Sequence, residues 1–243
     1  IYSMDDIKKN IDSSKSYILK SRRFGYDGKN QYHIKSNTKI ETNLISSPCI
    51  LEELVKFKAE VSLICVKSTD GHTFYYPLIE NSHEDGILNM STYPSNFAHL
   101  QESAELIGNK LLEAMKYVGV LVIEFFVNEY NELIANEMAP RVHNSGHWTI
   151  EGANISQFEA HIAAITGNTK NIKLELKPSF MFNILSKHIP NERINKLKSN
   201  LEIHFHNYHK KQRPNRKLGH LTCTAESRKS LEIKLQKFRD IIQ

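Results

Sequence analysis

The sequence predicts an α+β protein in which an antiparallel sheet packs against amphipathic helices. Three observations carry that expectation. Short apolar runs alternate with tight polar turns, as hairpins require. Apolar residues recur at steps of three and four over residues 97–118 and 155–165. Residues 120–127 are apolar on both faces except at Glu124, the pattern of a strand covered on both sides.

In chain order, Ser3 followed by Asp6 marks a helix start, and the charged segment to residue 13, with Ile7 and Ile11 on one face, makes a short amphipathic helix. Residues 17–20 read as a strand and 32–34 as its return. The loop between them holds Gly25 and Gly28. Glycines let main-chain amides turn inward around phosphate oxygens, with Lys20, Arg22, Arg23 and Lys29 to balance the charge. Taken alone, two glycines in a basic hairpin are more commonly just a turn.

Residues 49–55 form a strand, and 60–67 and 73–79 form a hairpin around Thr69, Asp70 and Gly71. Glu52, Glu53 and Glu60 read by themselves as solvated edge residues. Residues 80–86 read as a polar loop in which composition gives His83 no special role. Pro94 and Ser95 open a helix whose stripe Phe97, Leu100, Ala104, Ile107, Leu111, Met115 and Val118 is core packing. The helix over 155–165 turns Phe158, Ile162 and Ile165 inward and ends at Gly167, with His161 on the surface or in packing. Strands over 180–185, 201–208 and 221–224 follow, then an amphipathic helix over 227–241. Between them lies the basic run HKKQRPNRKLGH, a turn around Pro214 and Gly219 able to offer guanidinium forks to a phosphate monoester.

The chemistry concentrates in residues 118–148. A turn over 128–131 would set Val127 opposite Glu132 and Glu124 opposite Ala135, with Glu137 two residues further on the same face. Diagonal neighbours lie roughly 7 to 8 Å apart, a gap that two carboxylates can close around a shared hard cation such as magnesium. Two buried like charges without a partner are costly, so the alternative is that one or both face solvent or pair with a cation. Pro140 ends the strand, and residues 141–149 gather a guanidinium, two imidazoles, an amide and two hydroxyls, a loop suited to an anionic substrate.

Composition bounds the possibilities. A length of 243 residues, with 40% hydrophobic and 24% charged residues, allows one large or two modest globular domains. Cys49, Cys65 and Cys223 are few and widely spaced, which fits reduced thiols in a cytoplasmic protein. The first segment has no apolar stretch of signal-peptide length, so neither a secretory signal nor a membrane partner is expected. The net charge of +5 is compatible with phosphate-bearing ligands but, except around Lys210 to Lys217, too dispersed to argue for a nucleic-acid partner.

Together, Lys20 before GYDGKNQ, CILEELV with Glu60, EFF, NEMAPRVHNSGHW with SQFEAH, and RPNRKLGH resemble the ATP-grasp part of the 5-(carboxyamino)imidazole ribonucleotide synthetases, the ATPase subunits of phosphoribosylaminoimidazole carboxylase. The resemblance covers the whole chain, and NEMAPRVHNSGHW and RPNRKLGH are its specific motifs. It implies an ATP-grasp fold: a lid subdomain over 1–50 with the glycine-rich loop, a core over 51–170 with the metal and bicarbonate site, and a small C-terminal subdomain over 171–243. It implies that Lys20 and the loop Gly25, Tyr26, Asp27, Gly28, Lys29, Asn30 and Gln31 touch the nucleotide phosphates. Glu52, Glu53, Leu54 and Val55 would line the adenine and Glu60 would take the ribose hydroxyls, with His83, Asn136 and Glu137 as further ATP contacts. Glu124 and Glu137 would hold magnesium. Arg141, His143 and Asn144 would hold bicarbonate and the carboxyphosphate made from it, and Lys210, Arg216 and Lys217 the ribose phosphate of aminoimidazole ribonucleotide. A homodimer is implied as well.

Family members also carry an N-terminal Rossmann-like domain of about a hundred residues, with no counterpart here. The alternative expectation is therefore a non-catalytic nucleotide-binding remnant. Asn30 and Asn215 replace usual loop glycines, a change that asparagine's tolerance of positive φ allows.

Overall fold

The capping box expected at the first helix is present. The Ser3 hydroxyl accepts from the Asp6 N–H at 3.1 Å, and the Asp6 carboxylate accepts from the Ser3 N–H at 3.0 Å, starting α1 (Met4–Asn10). The computed structural model describes residues 1–23, 31–38 and 47–242; the expected phosphate contacts Gly25, Tyr26, Asp27, Gly28, Lys29 and Asn30 lie outside the described residues. Strands β1 (Tyr17–Ser21), β2 (Gln31–Ile34) and β3 (Cys49–Glu53) form an antiparallel sheet in the order β2-β1-β3. Ile7, Tyr17, Leu19, Ile34 and Cys49 form the core beneath it. This is one compact unit, Ile1–Lys56 with Asp85–Ile87; the second comprises Phe57–Glu84 and Leu88–Gln243.

The second unit is built on a larger sheet. Its strands are β4 (Ala59–Lys67), β5 (Thr73–Tyr75), β6 (Ile79–Glu84), β7 (Ile87–Tyr93), β8 (Gly119–Val127), β9 (Leu133–Ala139), β10 (Ser179–Leu185), β11 (His204–Asn207) and β12 (Lys217–Thr224). Among the described residues they run in the order β11-β12-β10-β7-β6-β4-β8-β9, with β5 paired to β4, and each of these pairs for which a register is defined is antiparallel. The doubly apolar run behaves as its pattern requires. Val61, Leu63, Leu121, Ile123 and Phe125 face α2 (Gln101–Met115) through Leu100, Ala104 and Leu112. Ile64, Val66, Val120 and Val122 face Trp148 and, on α4 (Gln157–Ile165), Ala160 and Ala164. At the other end, Phe180, Ile184, Leu221 and Cys223 pack under α5 (Asn191–Leu201) and α6 (Arg228–Ile242).

Several expectations need correction. Residues 80–86 are not a loop: β6 and β7 form a hairpin closed at Asp85 and Gly86, both with positive φ (51° and 75°), the turn for which an Asp-Gly pair is suited. The strand expected over 201–208 is shorter, because residues 191–201 are helical and bury Ile194, Leu197 and Leu201. Strand β12 starts at Lys217, so the end of the basic run is sheet. The helix over 155–165 exists, but Phe158, Ile162 and Ile165 point outward with exposures of 40%, 58% and 46%. Its inner face is Gln157, Ala160 and Ala164, whose small alanines bring the helix close to the sheet.

Close approach also explains Gly108 in α2. A Cβ at this position would collide with the Cys65 sulfur and press on Leu63. Gly108→Val is therefore expected to destabilise the chain by about 2 to 3 kcal/mol, read as a lower urea midpoint; an unchanged midpoint would show that α2 can lift without cost.

Candidate active site

The hairpin that carries the two glutamates differs from expectation by one residue. Asn128 closes a loop over 128–132, its Oδ1 accepting from the N–H of Tyr130 and of Glu132 at 2.9 Å each, and Asn131 takes φ 61°. Val127 thus pairs with Leu133, not Glu132. A bulge at Asn136 then adds a second step, so that Glu124 stands directly opposite Glu137 instead of diagonal to it.

The two carboxylates are unequal. Glu137 is exposed, whereas the Glu124 side chain retains only 14% of its accessibility and its Oε1 has no hydrogen-bond partner. Burial, then the charge of Glu137, lifts the Glu124 pKa to about 7. Of the two alternatives left open by the sequence, one carboxylate thus faces solvent and the other is largely buried.

Around this pair the sheet face is polar across all eight strands of its main path. Ser62 is opposite Glu124 on β4; Asn81 of β6 donates to Ser62 Oγ at 2.9 Å, and Ser91 of β7 donates to Asn81 Oδ1 at 2.7 Å. On β10, β12 and β11, Asn183, His220 and His206 are successive cross-strand neighbours. His83, which composition gave no special role, lies 2.5 Å from Glu60 Oε2 through Nδ1. Burial opposes its charge, but that hydrogen bond and the nearby Glu60, Glu124 and Glu137 charges prevail and raise its pKa. His206 Nε2 lies 2.6 Å from Glu151 on the short helix α3 (Thr149–Gly152) and its ring stacks on His220.

Loop 141–148 borders the pair. His143 Nδ1 approaches Glu124 Oε1 to 3.6 Å, but this is not an ion pair. Burial, followed by the charges of Arg141 and Lys217, drops the His143 pKa to about 3, and Nδ1 lies within hydrogen-bond distance of the Ser145 N–H and hydroxyl. Arg141 donates to the Val142 carbonyl at 2.9 Å, and the Asn144 Nδ2 is buried without a partner. Of the three basic residues expected at a phosphate, Lys217 sends its charge into this region, acting on Glu124, His143 and His147. Lys210 sits 4.9 Å above the Tyr208 ring, and Arg216 donates to the Lys211 carbonyl. Asn215 has φ 58°, the left-handed conformation that asparagine tolerates.

The remaining expected nucleotide residues belong to the other unit. Lys20 is paired with Glu52 at 2.6 Å and Glu53 with Lys15 at 2.8 Å, both glutamates lying on the edge strand β3 and Glu53 exposed. Lys20 pairs in register with Gln31, and Leu54 is exposed. The sequence reading assigned no role to His147, His206, His220 or Gln157. The imidazole of NSGHW and the glutamine of SQFEAH were the visible signals.

Magnesium fits what is present. An orphaned, buried carboxylate oxygen directly across from a second carboxylate supplies two hard ligands, the number such an ion takes from protein when phosphates and water fill the rest. Among the described residues no group of three or more histidine, cysteine, aspartate or glutamate side chains could hold a metal.

An antiparallel sheet with an acidic hairpin beside an oxyanion-type loop is the architecture of an ATP-grasp domain. The chain belongs to the ATP-grasp family: the ATP-grasp domain matches residues 2–158 and the phosphoribosylaminoimidazole carboxylase C-terminal domain matches residues 179–234. It is 40% identical to N5-carboxyaminoimidazole ribonucleotide synthase of Pseudomonas aeruginosa over 229 residues, covering 93% of this chain and 62% of that protein. N5-carboxyaminoimidazole synthetase from Staphylococcus aureus complexed with ADP superposes with a TM-score of 0.90 at 31% identity, over 100% of this chain and 65% of that one. The Aspergillus clavatus synthase in complex with ADP and 5-aminoimidazole ribonucleotide gives 0.81 at 29% identity, over 98% and 64%. The resemblance read from the motifs is borne out, and the chain spans about three fifths of the length of these relatives.

The raised Glu124 pKa has a thermodynamic sign. Its folded value of about 7 exceeds the ordinary 4.5, so the fold retains a proton that the unfolded chain has released. Stability from this group therefore falls as pH rises between those values and stays lower above them, by up to about 3 kcal/mol. Glu124→Gln is expected to melt higher than wild type at about pH 8 without magnesium, and to lose the stabilisation that magnesium gives wild type. Identical melting of the two proteins in both conditions would refute the assignment.

Proposed function

We propose that this chain is the ATP-using portion of an N5-carboxyaminoimidazole ribonucleotide synthase, an ATP-dependent carbon–nitrogen ligase of purine biosynthesis. The observation that carries the reading is the Glu124 and Glu137 pair set beside loop 141–148. The relatives' names and their complexes with ADP and 5-aminoimidazole ribonucleotide support the substrate assignment.

In this reading bicarbonate attacks the terminal phosphate of ATP to give carboxyphosphate and ADP. The exocyclic amine of aminoimidazole ribonucleotide then takes the carboxyl carbon, and phosphate leaves. Magnesium, held by Glu124 and Glu137, supplies charge neutralisation at the phosphates. Arg141, His143 and Asn144 hold the small oxyanion, each offering N–H groups where negative charge builds. Neutral His143 suits that role, because its Nδ1 faces Ser145 and its proton resides on Nε2. Lys217 acts on the same region, and Lys210 and Arg216 are the further candidates for the ribose phosphate.

Lys20, Glu52, Glu53, Leu54, Val55, Glu60, His83 and Asn136 remain proposed ATP contacts, as do Gly25, Tyr26, Asp27, Gly28, Lys29, Asn30 and Gln31 at the phosphates. The division into a lid over 1–50, a core over 51–170 and a C-terminal part over 171–243 belongs to the same proposal, as does a homodimer. A cytoplasmic setting is supported by three free, buried cysteines. No helix among the described residues is long and apolar enough to cross a membrane.

Phosphate release from MgATP and bicarbonate, with and without aminoimidazole ribonucleotide, tests the reading. Stimulation by the ribonucleotide that falls by roughly a hundredfold or more in Arg141→Ala and in Glu137→Gln is expected. Nucleotide binding without turnover would instead favour the non-catalytic remnant.

A further inference from the structure

The residue on which loop 141–148 depends lies outside it. Gln157, the first residue of α4, has 0% exposure. Its Oε1 accepts from the His143 N–H at 2.9 Å, while its Nε2 donates to the His143 carbonyl at 2.7 Å and stands 3.0 Å from His147 Nδ1. Its own N–H donates to Thr149 Oγ1 at 2.9 Å, and that hydroxyl donates to the Gly146 carbonyl at 2.6 Å. A Cβ on Gly146 would collide with the Gln157 amide, so glycine is required there for the approach.

The amide's orientation follows from its partners. A main-chain N–H only donates and a main-chain carbonyl only accepts, so the oxygen and nitrogen ends of Gln157 are fixed by His143. The nitrogen end therefore presents an N–H to His147, whose Nδ1 must accept. The ring proton then resides on Nε2, and Ser145 imposes the same arrangement on His143. Asn144 Nδ2 and Trp148 Nε1 in this loop are buried donors without an acceptor. The loop thus presents hydrogen-bond donors, and a group seated there must bring acceptors.

We propose that Gln157 is a positioning residue that fixes the His147 tautomer and the His143 main chain, keeping the loop in a donor-only state selective for a small oxyanion. The oxyanion clause rests on the function proposed above; the tautomer clause does not. The groups facing His147 agree with a neutral ring: burial first, then Lys217 of β12 and His206 of β11, hold its pKa at about 4, with His220 of β12 and Phe158 of α4 against the ring. The carboxylate of Glu151 on α3 is engaged by His206.

The test is the nitrogen protonation pattern of His147 in the full chain labelled with 15N-histidine, observed by two-bond proton–nitrogen correlation. In wild type an unprotonated Nδ1 and protonated Nε2 are expected between about pH 6 and pH 8. In Gln157→Glu, whose carboxylate can only accept, His147 is expected to take a proton on Nδ1, with KM for bicarbonate rising roughly tenfold while KM for MgATP stays within about twofold. A protonated Nδ1 in wild type overturns the proposal, whether or not the variant folds. So does an unchanged His147 pattern in a folded Gln157→Glu. The expected tautomers in a wild type without turnover would uphold the positioning role while refuting the proposed activity.

Discussion

One uncompensated carboxylate governs this protein's second unit. Glu124 sits in a strand otherwise covered on both faces, opposite another carboxylate, with one oxygen buried and unpartnered. Such a group disfavours its charged state unless a cation arrives. Much of what surrounds it can be read as tuning that balance. His83 is drawn toward its charged form by the acidic cluster, whereas His143 is held neutral and brings a lone pair, not a positive charge, to within 3.6 Å. The sheet therefore leaves the compensation of Glu124 to a ligand.

The surrounding fold shows how such a site is kept rigid. Ser62, Asn81 and Ser91 satisfy one another across three strands, whereas Glu124 Oε1, Asn183 Oδ1 and His220 Nε2 in the same row are buried without a partner. The opposite face packs an apolar cluster under α2, with the Lys67–Glu113 ion pair at its margin, which ties the strands together without touching the chemistry. The loop after β9 is held by Ser145 against His143 within it and, from outside, by Gln157 and Thr149, both fully buried. Rigid strands carry the acidic residues and a clamped loop carries the donors.

The sequence made much of this legible, for reasons that can be named. Periodicity located α2, and apolar runs located β4, β8 and β10, because those patterns depend on residue type alone. The motifs NEMAPRVHNSGHW and RPNRKLGH led to the family. The hairpin register was missed by one residue because Asn128 closes a longer loop through its side chain, and the bulge at Asn136 leaves no mark in composition. Helix α4 was turned the wrong way, since hydrophobicity favoured Phe158 and Ile162 as the inner face while packing distance favoured Ala160 and Ala164. The strand over 79–84 was hidden by its polar residues, although the Asp-Gly pair that follows is a hairpin signal in its own right. His83 could not be read from its neighbours, because its partner Glu60 lies on another strand.

The strand order has a consequence for biosynthesis. Strand β7 is flanked by β6 on one side and by β10 on the other, and β10 begins only at Ser179. As the chain leaves the ribosome from its N-terminus, β4, β6, β7, β8 and β9 can assemble while β7 still ends the sheet with an unpaired edge. That edge carries Ser91 and Tyr93, and Tyr93 stacks on Trp148 in the finished core. A nascent chain halted before residue 179 would hold the acidic hairpin at one end of the sheet and an open margin, suited to pairing with another chain, at the other. Translation of the C-terminal strands thus seals the sheet as well as adding basic residues to it.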